Sequence, residues 1–166
     1  MQTTKVFDSY TMPRDADLSK YSVLAICGGD GTVHEAINGM LARPDKLKLP
    51  VALLPNGSGN DLCYSLGIQS MDHALDILIR GIAIPIDTVR ILLDHESEDT
   101  LPSGDERAKF CRHMDINCTL SMPARIGHRA IPYKTCCGPN SYVISTLLEA
   151  MKCNIPRDQF EITIDG

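Results

Sequence analysis

The stretch Ala25-Ile26-Cys27-Gly28-Gly29-Asp30-Gly31-Thr32-Val33 limits the fold more than any other part of the chain. An apolar run, Tyr21–Cys27, stops at three glycines set around one acid, and a helical pattern starts at once. The run does not alternate, so it reads as a short strand covered on both faces. Thr32 with Glu35 three residues on has the form of a capping box, which predicts a helix opening at Thr32. Val33, Ala36, Ile37, Met40 and Leu41 then make one apolar stripe. Pro44 marks its end.

The same sentence is spoken a second time. Val51–Leu54 is another short apolar strand, Pro55–Gly59 another glycine loop, and Asp61–Leu66 a short helix that Gly67 stops. Ser70 caps a further helix with Met71, Ala74, Leu75, Leu78 and Ile79 on one side and Gly81 at its end. Strand–helix–strand–helix–helix predicts an α/β layer with parallel strands.

The pattern changes past Gly81. Ile82, Ile84 and Ile86 alternate in one phase, and Val89, Ile91 and Leu93 in the other. A slip of one residue exchanges the faces of a strand, so a bulge or a crossing between domains is expected near Asp87–Val89. Asp94–Arg107 is expected as an acidic, solvated loop rather than a functional acid cluster. Lys109–Cys118 is expected as a strand, Asn140–Met151 as a helix, and Phe160, Ile162 and Ile164 as alternate residues of a last strand.

Composition excludes several classes. At 166 residues there is room for one modest core, or one domain and part of another. A net charge of −5 carries no nucleic-acid footprint. No apolar run is long enough to span a bilayer, and no secretory segment opens the chain. The seven cysteines include no C-x-x-C pair, so reduced, mostly buried thiols in a cytoplasmic protein are expected and a zinc site is not. His73, His95, His113 and His128 are scattered without metal-ligand spacing. Arg125, His128, Arg129 and Lys134 form a loose basic cluster, read first as a solvated face and second as a contact for an anionic membrane.

Both glycine loops lie at the carboxyl ends of candidate parallel strands, where open α/β sheets receive ligands. Glycines let backbone N–H groups approach a bulky anion, and a helix N-terminus adds unpaired N–H groups and a positive dipole end. Phosphate suits that arrangement. Asp30 does not belong in a simple anion nest, because a carboxylate repels phosphate unless a cation or a hydroxyl stands between them. Phosphoryl transfer needs that combination. The spacing matches neither the Rossmann nor the P-loop fingerprint.

Gly28-Gly29-Asp30-Gly31-Thr32, Glu35, Asn38-Gly39 and then Pro55-Asn56-Gly57-Ser58-Gly59-Asn60-Asp61 together resemble the catalytic domain of diacylglycerol kinases, which sphingosine kinases and bacterial lipid kinases share. The first motif also resembles loops of NAD kinases and phosphofructokinases; the pair is specific. The resemblance implies an NAD-kinase/phosphofructokinase-like α/β domain over residues 1–87, lacking its first strand, and the start of a β-rich lipid-substrate domain over residues 88–166. It implies an ATP-dependent kinase, with Mg²⁺, acting on a lipid primary hydroxyl. Diacylglycerol-type is favoured over a sphingoid base, contact with the membrane is transient and peripheral, and no metal ligand is assigned.

By the same resemblance, Gly28, Gly29, Asp30, Gly31, Thr32, Val33 and His34 would hold the ATP phosphates. Asp30 would be the catalytic acid, as base or through Mg²⁺. Glu35 and Asn38 would brace that loop. Gly57, Ser58 and Gly59 would meet the nucleotide from the second loop, fixed by Asn60 and Asp61, and Thr11 would match an upstream nucleotide contact. The family's opening N-P-x-S-G turn and its G-F-D-A-like stretch have no counterpart; Ser121-Met122-Pro123-Ala124 stands at the latter place, with Asp115 the nearest acid. A truncated chain with little activity of its own is therefore expected. The rivals are an NAD kinase, for which the second loop is wrong, and an inactive nucleotide-binding or interaction fragment.

Overall fold

The computed structural model describes residues 2–5, 7–94, 98–102, 106–115 and 117–152. The chain divides into two compact units after Asn117.

The first unit is built on the repeated strand–loop–helix pattern. Strand β1 (Leu24–Gly28) pairs in parallel with β2 (Val51–Pro55), in a register that sets Ile26 against Leu53 and Gly28 against Pro55. Helix α2 (Asp30–Leu41) connects them, and α3 (Asp61–Ser65) and α4 (Met71–Arg80) follow β2. The core gathers Ile26, Leu53, Val33, Ala36, Ile37, Leu62, Cys63, Ile68 and Ala74. The α2 stripe is thus buried as its spacing predicts. The Ser70 cap forms as expected, its hydroxyl accepting from His73 N at 3.1 Å, and the left-handed Gly81 (φ 67°) closes α4. On α4 the inward side is Ala74 with Ile77, while Ile79 is 83% exposed.

Several expectations are corrected. Helix α2 starts at Asp30, two residues before Thr32, and its N-cap is Gly29, with no side-chain cap. Gly29 lies extended, and its carbonyl accepts the N–H groups of Thr32 (2.9 Å) and Val33 (3.1 Å). The Thr32 side chain instead packs over Gly28, filling the space a β-carbon there would need. There is no capping box. Strand β1 is covered on one face only, because Ala25 and Cys27 are exposed. Of the described cysteines only Cys63 is buried; Cys27, Cys118 and Cys136 are exposed.

Helix α1 (Asp8–Asp15) is not signalled by the sequence, since Pro13 sits inside it. It is made by packing. Tyr10 and Pro13 are buried, and the Tyr10 carbonyl occupies the place a β-carbon at Gly39 would take. Arg43, 7% exposed, holds its end: Nη1 reaches the carbonyls of Pro13 (2.7 Å), Arg14 (2.8 Å) and Ala16 (2.9 Å), and Nε donates to Asp45 at 2.9 Å.

Ile82, Ile84 and Ile86 are exposed and join no ladder among the described residues. The strand begins at Val89: β3 (Val89–Leu92) pairs antiparallel with β4 (Cys111–Met114), after the short turn of α5 (Arg107–Phe110). The strand expected over Lys109–Cys118 is that shorter β4. Within the second unit α6 (Ser121–Ala130), α7 (Lys134–Cys137) and α8 (Ser141–Ala150) are helical. The strand expected at Phe160–Ile164 lies outside the described residues, as does Cys153. No described helix is long and apolar enough to cross a membrane.

Candidate functional site

The two glycine loops meet because their strands are neighbours. The β1–β2 ladder runs to the loop itself, where Asn56 N donates to Gly28 O at 3.2 Å. Immediately beyond, Gly29 and Gly57 lie backbone to backbone: a β-carbon on Gly29 would stand 3.1 Å from Gly57 Cα, and one on Gly57 would strike Gly29. Neither position admits a side chain without parting the loops.

Asn60 shapes the second loop. It adopts the left-handed conformation (φ 60°), which asparagine tolerates better than most residues. Its side chain closes a ring with Gly57, accepting from Gly57 N at 2.7 Å and donating to Gly57 O at 2.9 Å. Its backbone N–H reaches back to the first loop and donates to Asp30 Oδ2 at 2.8 Å. One carboxylate oxygen of Asp30 thus ties the loops together. Asp61 shares the place: Asp30 Oδ2 and Asp61 Oδ1 lie 2.8 and 3.4 Å from the point a Gly59 β-carbon would occupy. Beneath them, burial and then the Asp30 charge push the Cys63 thiol up.

Asp30 and Gly31 open α2, and the first N–H groups of a helix have no partner within it. No side chain caps them. A β-carbon on Gly31 would meet nothing within 4 Å, so the mouth of the loop is open. Ser58 is exposed on the facing loop.

Asp30, His34 and Asn38 follow at four-residue intervals and share a face of α2. Asn38 is 3% exposed and braces the β3–β4 hairpin rather than the glycine loop. Its amide accepts from His113 N at 2.7 Å and donates to His113 O at 3.0 Å, as a paired strand would, and also donates to His34 O at 2.9 Å. The hairpin brings Asp115 to His34, with Nδ1 3.3 Å from Oδ1. Sequence reasoning noted Asp115 only as the nearest acid; nothing local tied it to a residue so far back in the chain. Glu35 is half-buried on α2.

Thr11 is set apart. Its hydroxyl donates to Phe7 O at 3.2 Å, within α1, and its neighbour Tyr10 meets α2 at Gly39, about 13 Å along the helix from Asp30. The basic cluster lies in the second unit and is partly neutralised. Arg129 pairs with Glu149 at 2.6 Å, and Lys134 stands 5.3 Å from the centre of the Tyr142 ring.

The sequence profile of the diacylglycerol kinase catalytic domain matches residues 1–91, more than half of the chain and the part that carries both loops. The chain belongs to the diacylglycerol kinase catalytic domain family. It is 36% identical over 93 residues to sphingosine kinase B of Dictyostelium discoideum, which covers 54% of this chain and 12% of that protein. It is 36% identical over 87 residues to diacylglycerol kinase of Bacillus subtilis (strain 168), covering 51% of this chain and 28% of that one. Against human sphingosine kinase 2 the identity is 31% over 106 residues, 56% of this chain and 16% of the relative. The matched part of the chain therefore spans about 12–28% of the length of these relatives.

Proposed function

We propose that this domain transfers the γ-phosphate of ATP to a lipid primary hydroxyl, diacylglycerol first and a sphingoid base second. The observation that carries the reading is the Asn60 N–H to Asp30 bond, which joins two glycine loops at the carboxyl ends of parallel strands and sets Asp30 at their junction. The nucleotide phosphates would lie against Gly28–Thr32 and the start of α2, with Gly57–Gly59 opposite. Val33, in the core, would act through packing alone. Relatives named as diacylglycerol kinase and sphingosine kinase support the same class of acceptor.

The residues present fit Mg²⁺. Protein sites for this ion commonly give it one or two carboxylates and leave the rest to phosphates and water, and Asp30 and Asp61 flank one point beside Gly59. The ion would supply charge neutralisation on the transferred phosphoryl. Asp30 would orient that charge against the loop, and the uncapped N–H groups of α2 would bind the phosphate oxygens. An NAD-kinase-like layer, a division near Asp87 into nucleotide and lipid parts, and transient contact with a membrane surface complete the proposal.

The test is transfer of labelled γ-phosphate from MgATP to diacylglycerol, sphingosine, ceramide and NAD, with Asp30→Asn as control. The variant keeps an oxygen for Asn60 N–H, so it is expected to fold. A labelled lipid that disappears in the variant is the expected result. Labelled NAD in place of lipid, or equal labelling by the variant, overturns it. Nucleotide binding without any transfer would favour the non-catalytic reading.

A further inference from the structure

Asp115 is a half-buried carboxylate, its side chain 9% exposed, placed against the imidazole of His34, which is 39% exposed. The pair is long-range and is made by the β3–β4 hairpin that Asn38 clamps to α2. The partners around the ring bear on its tautomer. Asn38 Nδ2 lies 3.5 Å from His34 Nδ1, but its two hydrogens already go to His34 O and His113 O. That leaves Asp115 as the partner of Nδ1, and an ionised carboxylate only accepts. With Asp115 as a carboxylate, Nδ1 would be the donor of this contact. A ring held in that way would exchange its proton at Nε2.

His34 is one helical turn from Asp30 on the same face of α2, so its Cβ is about 5–6 Å from that of Asp30. We propose that Asp115 is a positioning residue that holds His34 as the Nδ1–H tautomer, and that Nε2 of His34 is the proton acceptor for the hydroxyl that receives the phosphoryl group. This rests on the phosphoryl-transfer reading above, and it assigns the proton to His34 and leaves Asp30 to the cation and the loops. In the step, the acceptor O–H bond breaks and its proton goes to Nε2. The acceptor oxygen bonds to the γ-phosphorus, the bond from that phosphorus to the β–γ bridging oxygen breaks, and ADP leaves. The imidazolium then returns its proton to solvent.

The test uses the whole chain, labelled with ¹⁵N at histidine, with His34→Gln to assign the His34 signals and Asp115→Asn as the probe. The wild-type spectrum is expected to show His34 protonated at Nδ1. Asparagine can donate to Nδ1 and so favour the opposite tautomer, the failure known for the acid of a Ser-His-Asp triad. In Asp115→Asn the signals should therefore exchange character, while transfer from MgATP falls about a hundredfold or more with KM for MgATP unchanged, as loss of a general base predicts. Asp115→Glu, which keeps the carboxylate, should retain the wild-type tautomer. A wild-type His34 protonated at Nε2 alone overturns the proposal without reference to any variant. So does Asp115→Asn with its tautomer exchanged and its rate unchanged. A wild-type chain with the expected tautomer and no transfer to any acceptor refutes the kinase reading and the role of Nε2 with it, and the tautomer exchange alone then decides the positioning role of Asp115.

Discussion

Gly31→Ala separates what the first loop does for the fold from what it does for a ligand. Gly31 is the second residue of α2, its φ is not left-handed, and an added β-carbon meets nothing within 4 Å. Alanine is favoured over glycine in a helix interior by about 1 kcal/mol, so the variant should be as stable as the parent or slightly more so. For a chain of this size that is a rise of up to about 2–4 °C in Tm. The ligand is affected in the opposite direction. A phosphate oxygen bonded to the Gly31 N–H would lie about 2.9 Å from the nitrogen, and the new methyl group projects into the same open mouth. Losing one charge-assisted hydrogen bond there costs about 2 kcal/mol, roughly thirtyfold in Kd for MgATP. Thermal unfolding by circular dichroism and titration calorimetry with MgATP read the two effects on one sample. Gly39→Ala is the internal control: its β-carbon meets the Tyr10 carbonyl, a backbone group that cannot swing aside. Overpacking of about 1–3 kcal/mol should outweigh the helical gain and lower Tm by a few degrees. An unchanged affinity for MgATP in a well-folded Gly31→Ala would refute the assignment of this loop to phosphate.

Arg43→Met keeps the aliphatic stem and removes the donors to three carbonyls at the end of α1; urea denaturation should show a loss of about 2–4 kcal/mol. Acid should loosen the same joint. The Arg43 hydrogen bond holds Asp45 below its ordinary value of 3.8, so the stabilisation is complete above that value and is lost as pH falls through the lower folded value. A pH series of thermal unfolding below pH 4 should be flatter for Asp45→Asn than for the parent, and equal slopes would remove Asp45 from the account. Asn38→Ala strips the β4 backbone of its clamp at His113; hydrogen exchange at the His113 amide should quicken by at least tenfold, while exchange in β2 stays slow.

Much of the first unit was legible because its signals are local. The stripe on α2, the Ser70 cap and the left-handed Gly81 depend on residues within one or two turns of each other. The capping box was legible and misleading. Thr32 and Glu35 have the right spacing, but with two glycines ahead the helix could begin at Asp30, and Thr32 had Gly28 to pack against. The alternation of Ile82, Ile84 and Ile86 misled for another reason: alternation describes a surface, and a strand also needs a partner's hydrogen bonds, which begin only at Val89. Helix α1 could not be read at all, since Pro13 speaks against a helix and only Gly39 and Arg43, far along the chain, speak for it.

By itself the sequence determined that two glycine loops would end two short strands and lead into helices, because turns, caps and stripes are set by backbone geometry between near neighbours. The tertiary structure decided which loop atoms touch. Gly29 against Gly57, Asn60 on Asp30 and Asp115 on His34 join parts of the chain that no local pattern links. Their geometry follows from the register of β1 with β2 and of β3 with β4, and register is fixed only when the faces of all the elements are buried together.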